Sequence, residues 1–136
     1  MDIALRYMHD LYELQLKNGN HTEAAFALKL HFEALTWSKD PKDMLEAFKE
    51  YPAQSPTARK EQLCAQIIQH FDKGCTWENA VGPAKELARF YEEESFDYVK
   101  LSKLHTKIGG LYVPRCAGLV CTTASALHCL LLLPAC

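Results

Sequence analysis

The sequence predicts an all-α chain of antiparallel helical hairpins, with about five long helices and one short one. Three observations carry that prediction. Apolar residues recur at helical spacing through most of the chain, as at Leu63, Cys64, Ile67, Ile68 and Phe71, which is the pattern of a helix with one face in a core. Glycine turns interrupt the periodicity at Asn18-Gly19-Asn20 and at Lys73-Gly74-Cys75, and connections this short return a helix antiparallel to its predecessor. The two turns also sit in segments of one layout, offset by 55 residues: Gly19 lies over Gly74, Glu23 over Glu78 and Ala25 over Ala80. Met8, Tyr12, Leu16, Phe26, Phe32 and Leu35 fall over Leu63, Ile67, Phe71, Val81, Leu87 and Phe90 at the same offset.

The first helix is expected from Asp2 to Lys17, its inward stripe formed by Ile3, Tyr7, Leu11 and Leu14 and widened by Met8 and Tyr12. Thr22 offers a cap hydroxyl to the second helix, whose stripe Ala25, Leu28, Phe32 and Leu35 runs to about Trp37. Pro41, Pro52 and Pro56 mark Ser38 to Pro56 as a linker, with one short helix from Asp40-Pro41 toward Lys49. A third long helix begins at Pro56 or Thr57 and ends at Gly74, expected to take the positive φ of a helix C-cap. Thr76 caps a fourth helix, Trp77 to about Tyr91, and Gly82-Pro83 inside it predicts a kink, since an interior proline removes a backbone bond. After the solvated joint Glu92-Glu93-Glu94, Asp97 caps a fifth helix with Leu101, Leu104 and Ile108 on one face, weakened at Gly109-Gly110.

At 136 residues the chain suits one domain with a substantial core. A formal charge of −2 argues against polyanion partners, and no nucleic-acid binding is expected. The first ten residues lack the apolar run and small-residue cleavage site of a secretory signal. Cys64 and Cys75 stand apart from the crowded Cys116, Cys121, Cys129 and Cys136, an arrangement unlike a disulfide framework, so reduced thiols in the cytoplasm are expected.

From residue 113 the composition changes to a cysteine- and leucine-rich tail without acid. The apolar run Leu119 to Cys136 contains His128 and hydroxyls and is shorter than the ~20 residues a spanning helix needs, so a membrane span is not expected. Cys129 beside Leu130 to Leu133 suits acylation, but the abrupt change favours an alternative carboxyl terminus. None of the six histidines pairs at three- or four-residue spacing and no Cys-x-x-Cys occurs, so no metal site is expected. The glutamate run has no nucleophile beside it, and Gly109-Gly110 lacks the Lys-Ser/Thr of a phosphate loop, so neither acid–base catalysis nor a nucleotide cofactor is indicated.

The turn Gly19-Asn20-His21-Thr22-Glu23-Ala24 resembles that of tetratricopeptide units, although the 55-residue offset exceeds their ~34-residue period. Read together, Asn20 to Ala25, Trp37-Ser38, and Phe71-Asp72-Lys73-Gly74 with Trp77-Glu78 resemble the DOCK (dedicator of cytokinesis) family over Tyr7 to Tyr112. The likeness is to the first lobe of its DHR-2 domain, the exchange domain for Rho-type GTPases, and the wording is nearer the Rac-acting subfamilies. The resemblance implies a tetratricopeptide-like or ARM-like helical array that supports the exchange lobes and self-associates. The lobes that grip the GTPase and disturb its nucleotide and magnesium match nothing here, so it implies no catalytic residue, no cofactor and no exchange by this chain alone. Gly19, Asn20, Glu23, Ala24, Ala25, Trp37, Phe71, Asp72, Lys73, Gly74, Trp77 and Glu78 are the family-motif positions, with a structural role; Trp37, Phe71 and Trp77 are expected in the core. Gly82-Pro83, and His21 where the family commonly has tyrosine, depart from the pattern. The alternative reading is a tetratricopeptide-like adaptor that binds a peptide or a full-length family member.

Overall fold

In the computed structural model, residues 3–113 are described, and the tail beyond residue 113 lies outside them. The described residues form five α-helices: α1 (Ile3–Lys17), α2 (His21–Ala34), α3 (Pro56–Lys73), α4 (Val81–Glu93) and α5 (Tyr98–Tyr112). The described residues form no regular sheet, so the class is all-α as expected. Helices adjacent in sequence pack on one another, and one apolar core runs from Tyr12 and Leu28 through Leu63, Ile67 and Phe71 to Leu87, Leu104 and Ile108.

Helix α1 overturns the expected orientation. Ile3, Tyr7, Leu11 and Leu14 are 68, 72, 42 and 55% exposed, while His9 and Tyr12 are buried. Ile3, Tyr7, Leu11 and Leu14 recur at three- and four-residue spacing and so share one face, and His9 projects from the opposite one. Helical periodicity was readable, but α1 carries two apolar faces and the inner one is centred on a histidine. Helix α2 ends at Ala34, short of Trp37, with Leu35 extended beyond it.

The expected helix from Asp40 toward Lys49 is only a 3-10 turn, Pro41–Asp43. Instead, residues 45–54 fold back on themselves through antiparallel bridges between Leu45 and Gln54 and between Phe48 and Tyr51. Lys49 at the tip takes φ 52°. This segment is part of the core, since Phe48 and Tyr51 are buried and their rings stand edge-on to His9 at 5.2 and 6.1 Å. Arg59 of α3 holds it in place, donating through Nη2 to the carbonyls of Glu46 (2.9 Å) and Pro52 (2.8 Å).

Pro56 opens α3, with Ser55 as N-cap accepting from the Ala58 amide at 3.2 Å. Trp77–Ala80 is a separate 3-10 turn, so α4 begins later than expected. Pro83 is the third residue of α4, where the missing N–H falls among the first-turn donors that lack intrahelical partners; the break precedes the proline and α4 needs no kink. Glu92, Glu93 and Glu94 are exposed at its end. Asp97 caps α5, accepting from the Lys100 amide at 3.0 Å, and Leu101, Leu104, Ile108 and Leu111 are buried. Gly109-Gly110 does not end α5, which runs to Tyr112; Val113, the residue before proline, is extended.

Candidate functional site

The motif residues gather at two places. The first is where the α1–α2 turn meets the α3–α4 turn. Gly19 takes φ +72°, a left-handed conformation that suits glycine. Gly74 does not share it: its φ is −79°, and Cys75 takes the left-handed φ of 56° instead. Glycine is required at 74 by close approach, because a Cβ there would stand 2.3 Å from Thr22 Oγ1 and 3.1 Å from the Thr22 amide. Neither expected threonine cap forms. Thr22 lies inside α2, whose N-cap is Asn20 with no side-chain cap bond, and Thr76 at the N-cap position makes none either. The two hydroxyls pair with each other instead, Oγ1 to Oγ1 at 3.1 Å.

Beneath this contact, Ala24 and Ala25 are fully buried and admit the close approach of α2 to its neighbours. Phe71 is fully buried and meets Phe26 edge-on at 5.0 Å. Trp77 packs half-buried on the core, and Asp72 is half-buried. Asn20 Nδ2 donates to Gln15 Oε1 at 2.9 Å across the turn. Glu23, Lys73 and Glu78 are exposed.

A row of polar side chains runs inward from the turns. His21 and His70 lie with rings nearly parallel and Nδ1 atoms 3.2 Å apart, and His70 Nε2 is 3.2 Å from the Tyr12 hydroxyl. Burial, followed by His21 and Lys73, lowers the pKa of His70. Deeper in, His31 meets Tyr51 edge-on at 5.8 Å, and burial with Arg59 nearby lowers its pKa to about 4. Burial likewise raises the Tyr51 hydroxyl well above its usual range, and the hydroxyl donates to Gln66 Oε1 at 2.7 Å. Sequence spacing missed these histidines because they come from different helices.

The second place centres on Trp37. Its indole stacks on Phe90 at 4.5 Å and donates from Nε1 to Glu86 Oε1 at 3.0 Å. Lys60, only 4% exposed, reaches the same carboxylate oxygen at 2.9 Å and the Leu35 carbonyl at 3.0 Å. Its ammonium lies 4.3 Å from the Phe32 ring centroid and 4.4 Å from that of Trp37, in the range of cation–π attraction. Lys60 therefore joins the end of α2 to α3 and α4. Nothing in the local sequence marked it, since a lysine on a helix is ordinarily a surface residue.

The side chains of both clusters pack on or hydrogen-bond to other parts of the same chain. The described residues contain no group of three or more His, Cys, Asp or Glu side chains placed to hold a metal ion. Cys64 is a buried free thiol, its pKa pushed up to about 12 by burial, and Cys75 is exposed and free. No helix among the described residues is long and apolar enough to cross a membrane.

The profile of the family described as "DHR-2, Lobe A" matches residues 1–113. "Dedicator of cytokinesis protein 4" of Homo sapiens is 43% identical over 111 residues, covering 82% of this chain and 5% of that protein. "Dedicator of cytokinesis protein 3" of Mus musculus is 43% identical over 101 residues, covering 74% and 5%. "DOCK-like protein 1" of Saccharomyces cerevisiae is 31% identical over 109 residues, covering 79% and 6%. The chain thus spans about a twentieth of the length of these relatives. With a lobe A match across the whole described fold, the chain belongs to the dedicator of cytokinesis (DOCK) family, through the first lobe of the DHR-2 domain.

Proposed function

We propose that this chain serves as the first lobe of a DOCK-type guanine-nucleotide exchange domain for Rho-family, Rac-type GTPases. It braces the lobes that perform exchange, associates with copies of itself or with full-length family members, and does not expel nucleotide by itself. It works in the cytoplasm and meets the GTPase only through other lobes. The lobe A match over residues 1–113 is the observation that carries this reading. The packing of the motif residue Trp37, and of Lys60 and Arg59 outside the motif, supports a bracing role, since all three direct their polar groups at other parts of the same chain. The exposed stripe Ile3, Tyr7, Leu11 and Leu14 and the exposed Phe96, Tyr98 and Val99 at the α4–α5 joint supply apolar surface for neighbours.

Mixing the purified chain with Rac loaded with a fluorescent guanine nucleotide tests the reading. Release at the intrinsic rate is expected, and release above it overturns the inactive-lobe assignment. Sedimentation of the same protein tests self-association, which a monomer at all accessible concentrations contradicts. A peptide-binding adaptor is the second reading. It is favoured by an open groove of about 520 Å³ between α2 and α4, lined by Lys29, Phe32, Glu33, Gly82, Pro83, Lys85, Glu86 and Arg89. Capture of unrelated peptides, abolished by Lys85→Glu with Arg89→Glu, would support that reading over the first.

A further inference from the structure

We propose that the His21–His70 contact is a proton-operated latch holding the α1–α2 hairpin to the carboxyl end of α3. The Nδ1 atoms face each other at 3.2 Å, a separation that suits one N–H donating to one lone pair. Two N–H groups cannot share that space. In one neutral arrangement His70 Nδ1–H donates to His21 Nδ1, and His70 Nε2 accepts from the Tyr12 hydroxyl. In the other, His21 Nδ1–H donates and His70 Nε2–H is directed at the Tyr12 oxygen. Either way a single hydrogen between the rings satisfies both nitrogens and ties α1 and α2 to α3.

A first added proton is tolerated sterically, because cationic His70 can donate through Nδ1 to His21 and through Nε2 to the Tyr12 oxygen. It is opposed electrostatically, since His70 is buried and the charges acting on it are His21 of α2 and Lys73 of its own helix. Tyr12 is the group facing it from α1, and its hydroxyl supplies no negative charge, because burial together with Glu50 and Glu13 raises its pKa. A second proton puts an N–H on both facing nitrogens and a charge on both rings, so the contact must open. The Thr22–Thr76 hydroxyl pair and the close approach of Gly74 to Thr22 lie at the same end of the molecule. Opening the rings therefore loosens the whole junction between the two turns.

The full-length chain is titrated by NMR, following the ring carbon-bound protons of His21 and His70, with amide exchange of α1 and α2 measured at pH 7.5 and 5.5. The latch requires His70 to titrate below the ordinary histidine range, and amide exchange near Thr22 to accelerate at the lower pH, in excess of the ordinary slowing of amide chemistry. His21→Asn retains a non-titrating polar group near Nδ1 and should remove at least a tenfold part of that acceleration while leaving folding intact at pH 7.5. Titration of His70 at the ordinary histidine pKa, or equal acceleration in the wild type and His21→Asn, overturns the latch. If His21→Asn does not fold, amide exchange of the wild type near Thr22 decides, and no acceleration at pH 5.5 overturns the latch.

Discussion

Gly74 and Gly19 occupy corresponding turns, yet substitution acts on them by different physics. A Cβ at Gly74 would collide with Thr22 Oγ1, whereas at Gly19 it meets nothing within 4 Å and the cost comes from the positive φ. Gly74→Ala should lower stability by about 1–3 kcal/mol, as overpacking does. Combining it with Thr22→Ala should recover part of the loss, and urea midpoints of the two single variants and the double variant measure that coupling. His31 supplies a pH dependence. Its native pKa, lowered to about 4, lies below the ordinary value near 6.5, so between those values the unfolded chain binds more protons. Stability is therefore full above about pH 6.5 and falls as pH drops toward 4, by on the order of 3 kcal/mol. His31→Gln should flatten that part of the urea-midpoint profile. Residues were legible in sequence where chemistry is local, as for Asp97 and Pro56. Thr22, Gly74, Lys60 and the buried histidines depend on partners distant in the chain, which helical periodicity does not encode.

Among the elements, α5 shows how far a local signal reaches. One carboxylate at its start satisfies the Lys100 amide, and Asp97→Ala should cost about 1 kcal/mol with early fraying of α5, seen as faster amide exchange from Tyr98 to Leu101. The positions of α3 and α5 followed from capping residues and apolar stripes, whereas for α4 the 3-10 entry, the Thr76 cap and the kink at Gly82-Pro83 were misread. The segment from residue 41 to 55 was illegible for a physical reason. Its prolines correctly excluded a long helix, but its fold is set by the Phe48–Tyr51 pairing and by Arg59 donating to two of its carbonyls. In α1, spacing located the helix but put the wrong one of two apolar faces inward, taking Ile3, Tyr7, Leu11 and Leu14 for the buried stripe. Burying His9 instead of Tyr7 is decided by Phe48 and Tyr51, which arrive from that segment.

For the whole molecule, the outer face of α1 can be altered without touching the core. Tyr7→Lys with Leu14→Glu changes exposed positions only, so the melting temperature should stay nearly constant while the self-association proposed above weakens. Sedimentation alongside thermal melts checks both halves of this expectation. Family membership was legible because short blocks such as Phe71-Asp72-Lys73-Gly74 serve a junction between turns. What covers the outer faces was not, because no group among the described residues packs over them. Lys60 has a consequence at this scale. Its ammonium is sheltered by Phe32 and Trp37 and neutralised by Glu86, which belong to different parts of the chain. Peeling α4 away by itself would strand a sheltered cation without its counterion, so partial melting is penalised, and the helices should come apart in one cooperative step.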